Sequence, residues 1–208
     1  MINKDTKIYG SFSTKPGNNG CEFFNDAFQK KGINAIYKSF YSDDIEKLVS
    51  SVRFLKFSGF ALSMPHKIEI ISYLNVVDEI ASEIGAVNTV INKNGILIGY
   101  NTDWIGVCDY LNNFINNIKF ITILGNGGFS KAVQYSCVVM NIPYTVVTRK
   151  DWVVVKDLKG WVFNATPVEV SVPFCTLIDG RPFTESGKII ANFQAKDQFK
   201  IYTGVNYD

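Results

Sequence analysis

The sequence predicts an α/β protein of two domains, and three observations carry that expectation. Short apolar runs bounded by Gly, Pro and Asn alternate with stretches of helical spacing, the pattern of strands joined by helices. A glycine-rich turn, Gly125-Asn126-Gly127-Gly128, separates a buried-strand run from an apolar helix. The 208 residues, 47% hydrophobic and 19% charged, are ordinary for a globular chain and suffice for one large domain or two small ones.

Taken in order, Thr6 to Phe12 reads as a first strand and Thr14 to Gly20 as a turn-rich loop whose glycines suit close backbone approach. Phe23 to Lys31 has the spacing of an amphipathic helix, and Ile36 to Phe40 reads as a second strand. Asp43, or Ser42 before it, is placed to cap a helix through Leu55, with Asp44 and Glu46 near its positive end. Phe57 to Met64 is a short strand broken by Pro65, which has no N–H for a central ladder and so leaves Lys67 just past a strand end. Ile68 to Leu74 and Val77 to Ile84 carry helical spacing, and Gly85 is a helix stop. Ala86 to Asn92 and Ile96 to Tyr100 form a hairpin around Lys93-Asn94-Gly95, with Asn88 and Asn101 at its outer ends.

Trp104 to Phe114 is a helix expected to bridge the two domains, followed by the polar turn Asn116-Asn117. Ile118 to Leu124 is a buried strand, and the glycine turn opens a helix to Met140 before another strand, Tyr144 to Thr148. Small residues in such a turn let a cofactor pyrophosphate reach the N–H groups at the helix N-terminus. The second strand ends in Thr148-Arg149-Lys150 and not in an acid, which suits a ribose 2'-phosphate and so NADP over NAD. Asp151 to Gly160 is at the lower limit for a parallel crossover, and Trp161 to Phe163 resumes as a strand ending in Asn164-Ala165-Thr166-Pro167. The helix that opens at Gly187 follows too soon for another complete strand-helix-strand unit, so this half reads as trimmed.

The segments SMPHK (Ser63 to Lys67), GAVNT (Gly85 to Thr89) and GYNTD (Gly99 to Asp103), in that order, with the glycine turn and a QAKDQF segment after them, resemble the shikimate dehydrogenase family. Flanking text looks closest to its shikimate dehydrogenase-like subclass. The resemblance implies a substrate-binding α/β domain over residues 1–103, completed by a terminal helix over 187–208, and a reduced Rossmann-type dinucleotide-binding domain over 104–186. It makes Lys67 and Asp103 the catalytic pair, an ammonium beside a carboxylate able to donate a proton to a developing alkoxide. Read without it, Lys67 is a solvated surface lysine and Asp103 a helix N-terminus signal. Asn88 matches a substrate-binding asparagine, Ser63 falls where the family usually has a threonine, and Asn101 and Gln194 join them in orienting ring hydroxyls.

The family's two serines that hold a substrate carboxylate are missing; Asn18 and Gly20 fall at those positions when the loop is aligned on Phe24-Asn25, with Ser11 and Ser13 upstream as alternatives. Gly125, Asn126, Gly127, Gly128 and Phe129 form the cofactor turn, Thr148, Arg149 and Lys150 the 2'-phosphate contact, and Asn164 and Thr166 the segment beside the nicotinamide. His66 replaces a usual aromatic residue and carries no assigned role. The implied activity is reversible NADPH-dependent reduction of 3-dehydroshikimate to shikimate, or of a relative such as quinate; the rival is a degenerate member that binds a small ligand or nucleotide without turnover.

Other classes are disfavoured. A formal net charge of +2, with no basic run, argues against a nucleic-acid partner. No apolar run is long enough to span a bilayer and the N-terminus lacks a signal-peptide core, so a cytoplasmic protein is expected. Cys21, Cys108, Cys137 and Cys175 form no C-x-x-C pair and the chain has a single histidine, which argues against zinc and removes the commonest general base. A homodimer through an exposed edge strand is compatible with the sequence but rests on no particular residue.

Overall fold

The structure, a computed structural model, describes residues 2–207. Among the described residues, ten strands and six α-helices fall into two compact units. One comprises the residues up to Thr102 together with those from Ala195 onward; the other is Asp103–Gln194.

The first unit is built on a six-stranded mixed sheet ordered β2-β1-β3-β5-β6-β4. Its strands are β1 (Lys7–Ser13), β2 (Ala35–Tyr41), β3 (Gly59–Leu62), β4 (Val76–Val77), β5 (Thr89–Lys93) and β6 (Ile96–Tyr100). β1 pairs in parallel with β2 and β3, whereas β5 runs antiparallel to both β3 and β6. All four residues of β3 are buried, as a strand covered on both faces requires. The hairpin turn places Asn94 at φ 55° and Gly95 at φ 91°, the left-handed pair that two-residue hairpins favour.

α1 (Asn19–Lys30) starts four residues earlier than its apolar spacing suggests, so the glycine-rich loop is partly helical and Asn18 stands at the helix cap. Asn25 ties this helix to β2: its Nδ2 donates to the Tyr37 carbonyl and the Tyr37 N–H donates to its Oδ1, both at 2.8 Å. α2 (Ile45–Phe54) is capped by Asp44, one residue beyond the expected Asp43, because Asp44 has the extended backbone that lets its carboxylate accept from the Lys47 N–H at 3.0 Å. Ile68 to Leu74 forms only a 3-10 segment, Glu69–Tyr73. Val76–Val77 leaves the helical pattern to pair with β6 as β4, in keeping with its β-branched residues. α3 (Glu79–Ile84) follows, capped by Asp78 and closed by Gly85 at φ 67°.

Two apolar clusters fill this unit. One gathers Phe12, Leu48, Val52, Phe60, Ile70 and Leu97. The other is aromatic, with Tyr9, Phe24, Phe28 and Tyr37 joined by Phe199 and Tyr202 from the end of the chain. Burial pushes the Tyr37 and Tyr202 phenols well above their ordinary range, so both stay neutral.

The second unit carries a four-stranded sheet ordered β10-β9-β7-β8, parallel throughout. β7 (Ile121–Leu124) is wholly buried and leads through α5 (Gly128–Val139) to β8 (Tyr144–Val147). The chain then crosses back over β7 to β9 (Gly160–Asn164) through a 3-10 segment, Arg149–Asp157, where a full α-helix is usual. A link without any helix leads on to β10 (Cys175–Asp179), a strand that the sequence did not announce. One apolar cluster joins α5 and α4 (Asp103–Asn112) to the sheet through Val107, Leu111, Val133 and Phe163. The other, with Val147, Val155, Val162 and Val172, is completed by the 3-10 segment and the loop before β10. α6 (Glu185–Thr203) begins in the second unit and ends in the first.

Candidate active site

In the first unit, the three polar segments at the strand ends are hydrogen-bonded to one another. The Val87 N–H donates to the Lys67 carbonyl at 2.7 Å, and the Leu62 N–H to the Asn88 carbonyl at 2.8 Å. Asn88 is fully buried; its Oδ1 accepts from the Thr89 hydroxyl at 2.8 Å and from the Thr102 N–H at 2.9 Å, while its Nδ2 donates to the Thr102 Oγ1 at 3.0 Å. Asn101, also buried, donates from Nδ2 to the Ala86 carbonyl at 2.8 Å. Both lone-pair directions of the Asn88 carbonyl are thus used within the fold, which sets the amide's orientation. Lys67 is half-buried and Ser63 exposed, so both lie on the accessible side of this junction.

Gln198, at 3% exposure, is a member of the network that the sequence reading passed over in favour of Gln194. Its Nε2 donates to the Thr89 Oγ1 at 2.8 Å and reaches the Asn88 carbonyl at 3.5 Å. A glutamine among apolar helix positions is the one signal that pointed to it. Gln194 is half-buried and belongs to the other unit, where α6 passes so close to α4 that a Cβ on Gly106 would stand 2.9 Å from the Gln194 backbone nitrogen. Asp103 is buried as the first residue of α4. Asn18 is exposed and makes no side-chain cap bond to α1.

In the second unit, the residues expected at a cofactor gather at the C-terminal edge of the parallel sheet, because register sets Leu124 beside both Val147 and Asn164. From β7 the connection runs towards β8, and from its other neighbour β9 towards β10, so the chain diverges between β7 and β9. Ligands of open α/β sheets bind at such a point. Gly125 has φ 102°, and a Cβ there would meet the Thr166 methyl at 2.8 Å, so only glycine lets the two loops approach. Gly127 caps α5 without a side-chain bond, and a Cβ on it would find no atom within 4 Å. The start of α5 is thus uncrowded at Gly127, and a helix N-terminus is where a diphosphate binds. Asn126, Arg149 and Lys150 are exposed, the two cations at the end of β8, and the Thr148 hydroxyl donates to Asp151 at 2.9 Å. These groups fit the phosphates of a dinucleotide.

Asn164 and Thr166 are bonded into the loop after β9. Asn164 is fully buried, donating to the Val168 carbonyl at 2.8 Å and accepting from the Thr166 hydroxyl at 2.7 Å, so both side chains shape the loop after β9. Phe129 packs below the turn against Phe163, their rings 5.9 Å apart, and a Cβ on Gly180 would strike it. No group of three or more metal-ligating side chains occurs among the described residues. Burial pushes the Cys137 thiol up to about 12 and raises Cys108 and Cys175 as well, which disarms them as nucleophiles. No helix among the described residues is long and apolar enough to cross a membrane.

A mixed-sheet unit with polar strand ends and a parallel unit with a glycine turn define a two-part α/β protein. Residues 20–90 match the shikimate dehydrogenase substrate binding domain. A shikimate dehydrogenase-like protein of Haemophilus influenzae is 40% identical over 134 residues, covering 64% of this chain and 49% of that protein. The NADP(+) shikimate dehydrogenase of Aquifex aeolicus is 39% identical over 143 residues, covering 66% and 53%. The crystal structure of shikimate dehydrogenase from Aquifex aeolicus superposes with a TM-score of 0.82 at 26% identity, covering 100% of this chain and 96% of that one. The chain is thus similar to shikimate dehydrogenases in sequence and fold, and it spans about half the length of the curated relatives it matches.

Proposed function

We propose that the protein is an NADPH-dependent oxidoreductase of the shikimate dehydrogenase type, reducing 3-dehydroshikimate to shikimate reversibly or acting on a related polyol acid such as quinate. The observation that carries this reading is the junction of Lys67, Asn88 and Asn101 segments, whose mutual hydrogen bonds bring three distant stretches of sequence together as one polar network. A ligand with many hydroxyls needs many fixed polar partners. The name of the Aquifex aeolicus relative supplies the cofactor preference.

In this reading residues 1–103 with 187–208 bind substrate and 104–186 bind the nucleotide. Lys67 supplies and removes the proton at the substrate oxygen, with Asp103 as its carboxylate partner. Ser63, Asn88, Asn101, Gln194 and Asn18 orient the ring substituents. Gly125 to Phe129 would hold the pyrophosphate, and Arg149 and Lys150, beside Thr148, the 2'-phosphate, with Asn164 and Thr166 shaping the nicotinamide end. When bound, NADPH supplies the hydride. Lys67→Ala is expected to lower kcat by about 10²–10⁴-fold while KM for shikimate changes little; a near-normal kcat overturns the assignment.

A second reading, binding without turnover, draws support from the exposed Asn18 in place of a serine pair and from the helix-poor crossover of the second unit. Calorimetry with NADPH and NADH, each with and without shikimate, separates the two. Binding confined to the phosphorylated cofactor favours the dehydrogenase, and shikimate binding with neither nucleotide favours the rival.

A further inference from the structure

We propose that His66 is a positioning residue for Lys67: its imidazole, as the Nε2–H tautomer, pins the turn that carries the lysine to the loop after β2. This rests on the role assigned to Lys67 above. His66 is completely buried, and its Nε2 lies 2.8 Å from the Ser42 carbonyl oxygen. A carbonyl only accepts, so Nε2 carries the proton. Nδ1 is buried with no hydrogen-bond partner among the described residues. A proton there would be an unmatched buried donor, and a doubly protonated ring a buried charge with one of its two donors unpaired. The surroundings therefore select one neutral tautomer.

The bond joins the SMPHK turn to the loop after β2. The Ser63 N–H donates to the Phe12 carbonyl, the Ser42 N–H to the Ser13 carbonyl and the Thr14 N–H to the Met64 carbonyl. The loops after β1, β2 and β3 are thus laced together, and His66 is the side chain that completes the lacing from within the SMPHK turn. Its own N–H bonds back to Ser63, and its carbonyl accepts from Ile70, so the ring and the lysine next to it move as one piece. An aromatic ring of similar size would fill the space but leave the Ser42 carbonyl without this donor.

The chain has a single histidine, so its imidazole nitrogens give one isolated set of NMR signals. The expected spectrum of the uniformly labelled protein shows a protonated Nε2 and a bare Nδ1; a protonated Nδ1 overturns the proposal. Three variants sharpen it: His66→Gln keeps a donor near the Nε2 position, His66→Asn moves it towards Nδ1, and His66→Phe removes it. With NADP+ and shikimate, kcat should fall on the order of 10-fold in the Phe and Asn variants, with KM nearly unchanged, and recover in the Gln variant. Amide exchange at Val87, which bonds to the Lys67 carbonyl, should quicken in the same two variants and not in the third. Equal kcat and equal Val87 exchange across all variants overturn the pin. If the unaltered protein shows no turnover, the functional reading fails on its own, and the tautomer and the exchange rates still decide the role of His66.

Discussion

The two units solve the problem of ending strands differently. In the first, strand ends are closed by side chains: Asn88, Thr89, Asn101 and Thr102 are buried yet hydrogen-bonded, and Gln198 reaches in to join them. In the second, the end of β7 is closed by backbone and by absence of bulk, with Gly125 and Gly127 at the turn, while side-chain bonds at Asn164 and Asp179 tie the ends of β9 and β10. A polar surface made of side chains is specific for one pattern of hydroxyls, whereas one made of backbone N–H groups accepts any phosphate. The division is the one that the proposed substrate and nucleotide sites would each require.

The bluntest way to test that the units rest on comparable cores is to hollow each one. Phe60→Ala in the first unit and Phe163→Ala in the second should each cost about 3–5 kcal/mol, read from urea unfolding midpoints, because both rings are fully buried. A loss below about 1 kcal/mol at Phe163 would show that the second unit packs loosely. A finer contrast uses the polar knots. Asn88→Ala strips the Thr102 N–H of its acceptor and Asn164→Ala does the same to the Thr166 N–H, and each should cost about 1–3 kcal/mol. Only the first should also weaken shikimate binding in calorimetry, and equal effects on that binding would erase the distinction drawn between the units. Smallest is Asp78→Ala, which removes the carboxylate capping α3 at Ile80 and should cost about 1 kcal/mol without altering either ligand site.

Much of this contrast was readable beforehand, and the exceptions have physical causes. β6 and the glycine turn could be placed because a hairpin and a strand-turn-helix each leave strong local signals at Asn94-Gly95 and Gly125 to Gly128. The segments SMPHK, GAVNT and GYNTD could be matched as strings, but their mutual bonding is a tertiary fact that no spacing reveals. Val76–Val77 was missed because two residues cannot display a period, and only pairing with β6 makes them a strand. β10 escaped because its parallel link to β9 has no helix to announce it. Asn164 was placed beside a nicotinamide by resemblance alone; its burial and its bonds to Thr166 and Val168 are set by a loop whose course the sequence does not encode locally.

The last helix carries a consequence for how the molecule comes into being. Phe199 and Tyr202 complete the aromatic cluster formed by Tyr9, Phe24, Phe28 and Tyr37, yet the ribosome makes them after the whole of Asp103–Gln194. At ordinary elongation rates the nascent first unit waits roughly 5–20 s with that face uncovered. During that interval it is a natural client for a chaperone, and a release-arrested chain ending near Thr102 should be captured where the finished protein is not.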